Sequence, residues 1–125
     1  MNSEGLITIG AFYNLAFFIF HVFFWKLFRW QEDLASLTST NRSVIQILNL
    51  CLMFVFVIFA YISAFHSGEL LGTQLGRRML LLISIFWLLR AVEEVIFDGL
   101  STATSIAFFI IFLLGALLYL IPLLR

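Results

Sequence analysis

The sequence predicts an all-α, polytopic membrane protein: four transmembrane helices in an antiparallel bundle, forming a single domain over residues 1–125. Composition is the first observation behind this prediction, because 63% of the 125 residues are hydrophobic and only 11% are charged. A soluble domain carries about 25% charged residues, so this chain is far too apolar to be one. Length is the second observation, because the apolar runs reach the roughly 20 residues that cross a bilayer.

Four apolar runs of this length follow one another, and each is predicted to be a transmembrane helix. The predicted spans are residues 6–28, 44–65, 79–97 and 102–124. The first run lacks the positively charged start of a secretory signal and is longer than one, so we expect it to be retained as a helix. Too few residues remain for an extramembrane domain, so the function is expected in or at the bilayer.

The first connection is predicted to be partly helical. Residues 27–37 place apolar and charged side chains at helical spacing, which indicates an amphipathic segment that either lies at the interface or prolongs the first helix. Thr40, Asn41 and Ser43 offer N-capping side chains for the second span.

Glycines mark the other two connections. Gly68, Gly72 and Gly76 recur every four residues, a spacing that can let two helices approach closely, although their surroundings are polar. The alternatives are therefore close helix packing and a flexible interfacial loop. Asp98 and Gly99 predict a tight turn into the fourth span.

Charge does not fix the orientation in the membrane. We define side A as the face with both termini and the second connection, and side B as the face with the first and third connections. The positive-inside rule compares Lys and Arg residues near the spans, and here the two sides are equal. The residues are Arg77, Arg78 and Arg125 on side A, and Lys26, Arg29 and Arg42 on side B.

Aromatic residues near the span ends are predicted to form interfacial belts, with Trp25 and Trp30 toward side B and Tyr61 and Tyr119 toward side A. Membrane lipids are therefore expected partners. Small size and the absence of a signal peptide indicate a multi-pass protein of a prokaryotic plasma membrane. The single cysteine, Cys51, excludes an internal disulfide.

The candidate functional residues begin with Arg90, Glu93 and Glu94, three charges inside the third apolar run. One charge at the centre of a bilayer costs about 2.5–3.5 kcal/mol even on a lenient scale, so such residues usually line a bundle interior and serve function. On a helix, Arg90 and Glu94 share a face, whereas Glu93 is turned by about 100°. One glutamate is therefore expected to face the bundle centre and the other a neighbouring helix or protomer.

Polar residues of other spans are predicted at the same depth. With a rise of about 1.5 Å per residue, His21 of the first span and Asn49 of the second come level with this cluster in the side B half. Trp87 falls on the face of Arg90 and Glu94. The predicted binding site for a substrate or ion is therefore His21, Asn49, Trp87, Arg90, Glu93 and Glu94.

The charges of this site predict a shared proton. Arg90 with two ionised glutamates sums to minus one, which is unfavourable in a low dielectric unless one carboxyl is protonated or His21 is charged. The alternative is a structural ion pair that only fixes helix packing.

Several ligands are not expected. Arg90 competes with a metal for the glutamate oxygens, so no metal site is predicted. His21 and His66 lie near opposite sides, about 20 Å apart by helical rise, so they do not ligate one haem and no cofactor is predicted. A net charge of zero argues against nucleic acid as a partner.

Three functions fit a protonatable polar site within four helices. The first is a small transporter or channel, the usual role of an acidic residue inside a span. The second is an intramembrane acid–base enzyme acting on a lipid-like substrate, with His21 and a glutamate as the pair. The third is an accessory subunit of a larger membrane complex. Four short helices rarely enclose a path alone, so the first function implies a homo-oligomer.

Overall fold

The computed structural model describes residues 1–125 and is all-helical, without a strand. A turn of 3-10 helix, Leu34–Ser36, follows α3, and a π-helical segment, Glu94–Asp98, follows α6. The α-helices are α1 (Ser3–Val22), α2 (Phe24–Leu27), α3 (Trp30–Asp33), α4 (Ser39–Phe65), α5 (Ser67–Gly72), α6 (Gln74–Glu93) and α7 (Ala103–Leu124).

Three of the four long helices, α1, α4 and α7, have the length and apolarity to cross a membrane, as expected of a membrane protein. The helix that contains most of the predicted third span, α6, is not one of them. Its 20 residues include Arg77, Arg78, Arg90 and Glu93, and these charges lower its mean hydropathy. The structure thus supports three membrane-spanning helices by length and composition.

Each long helix begins at a polar cap, and three of the four begin before the predicted span. Asn2 accepts a hydrogen bond from the Gly5 amide at 2.7 Å, so α1 starts at Ser3. Thr38 accepts from the Asn41 amide at 3.2 Å. The prediction that Thr40, Asn41 and Ser43 cap this helix is therefore wrong, since all three lie inside α4. Thr73 and Thr102 cap α6 and α7 in the same way.

The connections are more ordered than the sequence indicates. The first does not continue α1, because α1 ends at Val22 and the left-handed backbone of Arg29 (φ 53°) separates α2 from α3. The second is the helix α5, not a flexible loop. Of the three glycines in the second connection, only Gly76, in the first turn of α6, lies close to another helix. An added Cβ there would collide with the Glu69 carbonyl of α5. Gly99 has φ 62°, as the predicted turn requires.

The four long helices are not packed equally. Helix α1 runs antiparallel to both α4 and α7, and α7 packs closely against α6. Helices α4 and α6 are joined by aromatic side chains, Phe56 and Phe59 against Phe86, rather than by close backbone packing. The packing order is therefore α4, α1, α7, α6, with a seam of aromatic rings between the first and the last.

Two glycine–tyrosine contacts bring α1 and α7 together. Tyr119 of α7 lies over Gly10, where an added Cβ would come within 2.5 Å of its hydroxyl oxygen. Tyr13 of α1 lies over Gly115 in the same way and donates a hydrogen bond to the Ile111 carbonyl at 2.7 Å. Each helix thus places a glycine beneath a tyrosine of the other, which fixes both their separation and their register.

A buried polar cluster joins three helices in the side A half. The Asn14 amide of α1 donates to the Tyr119 hydroxyl at 2.8 Å, and that hydroxyl bonds the Ser63 hydroxyl of α4 at 2.7 Å. All three residues are inaccessible to solvent. Tyr119 therefore lies inside the fold, and its prediction as an interfacial belt residue is wrong. Tyr61 is exposed, as a belt residue is expected to be.

Candidate functional site

A cavity of 670 Å³ lies in the half of the structure opposite this cluster, between residues of all four long helices. Five of the six predicted site residues line it: His21, Trp87, Arg90, Glu93 and Glu94. The sixth, Asn49, lies behind the wall and hydrogen-bonds to His21. The structure therefore brings together polar residues of separate helices at one level.

Glu94 is the most enclosed charged group of the cavity, with 5% of its side chain exposed. It sits at the junction between α6 and the π-helical segment. One carboxylate oxygen, Oε2, accepts from Arg90 Nη2 at 3.1 Å, and the other, Oε1, lies 3.1 Å from the Ser105 hydroxyl oxygen of α7. Helix α7 thus supplies the partner that the buried glutamate meets.

The Ser105 hydroxyl has two acceptors within reach. It contacts both Glu94 Oε1 and the Gly99 carbonyl oxygen. A serine hydroxyl has one proton to donate, so these two oxygens compete for it.

Arg90 forms an ion pair with Glu94, and its other N–H groups remain free. Its guanidinium makes this one side-chain hydrogen bond, lies 4.4 Å from the centre of the Phe112 ring, and remains 37% exposed. A cation over an aromatic face is attracted by the ring quadrupole. Arg90 therefore keeps free N–H donors at the cavity.

Two further carboxylates line the same cavity and have no ion pair. Glu93 is half-buried, and Asp98, at the end of the π-helical segment, is exposed. The ion pairs of the chain are those of Arg90 with Glu94, Arg29 with Glu32, and His66 with Glu69. Three acidic groups thus face one arginine, and the cavity is negative unless protons or a cationic ligand compensate.

His21 is held by Asn49 in one tautomer. The Asn49 side chain donates through Nδ2 to the His21 backbone carbonyl at 3.2 Å, which turns its oxygen toward the imidazole. That oxygen is 2.7 Å from His21 Nδ1, so Nδ1 must carry the proton. In neutral His21 the lone pair is therefore on Nε2. Because the ring lines the cavity, Nε2 is the atom that can accept a proton or hydrogen bond there.

Trp87 contributes an aromatic face and an unused donor. Its ring is 1% exposed and stacks on Phe56 at 5.4 Å, with an interplanar angle of 9°. The indole N–H is buried and has no acceptor. A buried donor without a partner costs about 1–3 kcal/mol.

The aromatic wall of the cavity was not predicted from the sequence. Helical spacing provides a signal for it, because Phe17, Phe20 and Phe24 recur at three- and four-residue intervals around His21. Asp98 and Ser105 were also missed as site residues. The apolar lining consists of Phe17, Phe20, Phe24, Phe28, Leu52, Phe56, Phe86, Trp87, Leu89, Phe108 and Phe112.

No group of three or more His, Cys, Asp or Glu side chains is arranged to hold a metal ion. The second histidine, His66, lies far from the cavity and contacts Glu69 at 2.8 Å.

Fold and site together define an all-helical protein with membrane-length apolar helices around a polar and aromatic cavity. No family model, no curated protein and no solved structure matches this chain.

Proposed function

We propose that the protein is a small membrane transporter or channel in which the cavity binds the transported species and Glu94 carries an exchangeable proton. One observation supports this above the others: a carboxyl group with 5% exposure lines a 670 Å³ cavity among helices of membrane length. Ionisable groups placed so deeply are usually kept for transport of protons, ions or substrates.

The proposal includes α6 as a fourth transmembrane helix. Its 20 residues give a length of about 30 Å, which matches the hydrocarbon core. It also lies along α7, since the Ser84 hydroxyl donates to the Ala116 carbonyl at 2.8 Å and Arg77 donates to the Leu123 carbonyl at 2.6 Å. Because α7 has the apolarity to cross a membrane, a helix in contact with it from end to end is expected to cross as well.

The proposed mechanism is an exchange at Glu94. In the protonated state Glu94 donates to Ser105, and Ser105 donates to the Gly99 carbonyl. In the ionised state Glu94 pairs with Arg90, and the negative charge of the cavity rises by one. A positively charged species is then bound more tightly, so binding and proton release are coupled.

A structural ion pair is the alternative, in which Arg90 and Glu94 only hold α6 together. That role does not account for the free N–H donors of Arg90, the unpaired carboxylate of Glu93 or the fixed tautomer of His21. Four helices with a seam between α4 and α6 do not enclose a pore, so we propose that the working form is a homo-oligomer or part of a larger complex.

Proton movement in proteoliposomes tests the proposal. Vesicles are loaded with the pH-sensitive dye pyranine. Small compounds with an apolar body and a cationic, anionic or alcohol group are then added outside. We expect at least one class to drive proton movement with the wild-type protein beyond that in protein-free vesicles, where weak bases and acids permeate by themselves, and none to exceed this background with Glu94→Gln. Glu69→Gln, outside the cavity, is the matched control and should behave as wild type. No response to any class, or equal responses of Glu94→Gln and wild type, would refute the proposal.

An intramembrane enzyme is the second candidate, and the His21 tautomer is the observation that favours it. The Nε2 lone pair of His21 and the Glu94 carboxyl belong to residues that line one cavity, where they would act as the acid–base pair, and a lipid-like substrate would pack against the aromatic wall. Incubation of the protein in native lipid extract, followed by mass spectrometry, tests this function. A product formed by wild type and absent with His21→Ala supports it, and an unchanged extract excludes it.

A further inference from the structure

We infer that the ligand of the cavity is an amphipathic organic cation: an apolar body carrying one positively charged amine. This inference rests on the proposed function, because it names the class of substrate for the same site. It is drawn from the charge of the lining, the hydrogen-bond acceptors that lack partners, and the aromatic wall with its seam between α4 and α6.

Charge is the first argument. The charged groups facing the cavity from α6 and the π-helical segment are Arg90, Glu93, Glu94 and Asp98, and α1 contributes His21. No charged residue of α4 or α7 lines it. With His21 neutral and Glu94 protonated the lining sums to minus one, and with Glu94 ionised it sums to minus two. A cation is thus favoured over an anion in both states of the exchange.

Unpaired acceptors are the second argument. Glu93 and Asp98 have no ion-pair partner. His21 lines the cavity, and its contact with Asn49 through Nδ1 leaves the lone pair of the neutral ring on Nε2. An ammonium group brings N–H donors to these atoms, whereas a carboxylate would add acceptors to a set already in excess.

The aromatic wall is the third argument. The site already holds one cation over a ring, the Arg90 guanidinium 4.4 Å from the centre of Phe112. Other rings of the lining, including Phe24 and Phe108, offer the same attraction to the amine and an apolar surface to its body. Leu52 and Phe56 of α4 face Phe86 and Leu89 of α6 across the seam, so a lipid-dissolved ligand would reach the cavity between these helices.

Three probes with the same apolar cage but different polar groups test the inference: 1-aminoadamantane, 1-adamantanol and 1-adamantanecarboxylate. Binding to the full chain in nanodiscs is measured by calorimetry and by tryptophan fluorescence. We expect the amine to bind at least 10-fold more tightly than the alcohol or the carboxylate. Equal or tighter binding of either of these two, or no binding of the amine, would overturn the inference.

Variants then locate the binding. Replacing both unpaired carboxylates, with Glu93→Gln and Asp98→Asn, should weaken amine binding at least 10-fold, whereas Glu69→Gln should leave it unchanged. If the double variant does not fold, each single variant should still weaken binding several-fold; unchanged affinity in both folded single variants contradicts the inference. Failure here is distinguishable from failure of the proposed function. Proton movement driven only by the anions or alcohols would keep the transporter and reject the cation, whereas amine binding without proton movement would do the reverse.

Discussion

The side-chain amide of Asn49 on α4 contacts His21 on α1 at two points, the Nδ1 atom of its ring and its backbone carbonyl. These two contacts decide which nitrogen of the neutral imidazole carries the proton. A tautomer fixed by a neighbouring helix is a directly measurable property, so it provides the first prediction.

We expect neutral His21 to carry its proton on Nδ1. Solid-state NMR of ¹⁵N-histidine-labelled protein in lipid should show a protonated Nδ1 and an unprotonated Nε2, and Asn49→Leu should remove this preference. His66→Asn eliminates the signal of the other histidine and serves as the background. An Nε2-protonated ring in that background would contradict the hydrogen-bond assignment.

The glycine–tyrosine contacts predict a local sensitivity to one methyl group. Gly10→Ala should lower the free energy of unfolding by about 1–3 kcal/mol, because the new Cβ has no space beneath Tyr119 and overpacking outweighs the gain in helix propensity. Gly72→Ala is the matched control, since nothing lies within 4 Å of the added Cβ. Unfolding in detergent, followed by circular dichroism, measures both. Equal stability of the two variants would show that α1 and α7 are not held at this distance.

The buried cluster of Asn14, Ser63 and Tyr119 predicts the effect of removing one hydroxyl. Tyr119→Phe leaves the Asn14 amide and the Ser63 hydroxyl without their shared partner, so we expect a loss of about 1–3 kcal/mol in unfolding free energy. Tyr61→Phe, at an exposed position, should be neutral in the same assay. A neutral Tyr119→Phe would mean that the cluster does not stabilise the fold.

Crossing of the membrane by α6 predicts that its two ends lie on opposite sides. In a Cys51→Ala background, single cysteines at Ser67 and Ser101 flank the helix. In sealed vesicles of uniform orientation, a membrane-impermeant maleimide should label one of them from outside and the other only after permeabilisation. Labelling of both from the same side would remove α6 from the membrane-spanning set.

Long-range periodicity made the helical class, four long helices and the level of the polar residues predictable from the sequence. The apolar runs identify α1, α4 and α7, and helical rise places His21, Asn49 and Arg90 at one depth. The helix ends were less predictable, because Thr38 and Thr73 act as caps only where the backbone turns, and several nearby side chains offer the same chemistry. The charges of α6 explain why that helix differs from the other three in its apolarity.

The partners within the site were not predictable in the same way. The contact of Glu94 with Ser105 depends on how α7 packs, and the fixed tautomer of His21 depends on the rotation of α4 that aims Asn49 at it. These are relations between helices, and periodicity within one helix contains no information on them. Sixteen phenylalanines in an apolar chain likewise gave no indication of which ones line a cavity.

Infrared difference spectroscopy of Glu94 is the most direct measurement of the central proposal, that this carboxyl exchanges a proton when a cation binds in the cavity. In the difference between the protein with and without saturating 1-aminoadamantane, in lipid, we expect the carbonyl stretch of a carboxylic acid to change in the wild-type protein and in Glu93→Gln, and no such band in Glu94→Gln. Ser105→Ala should shift the band, because it removes the hydrogen-bond partner of the acid. A wild-type spectrum without this band, or a band that survives Glu94→Gln, would contradict the claim.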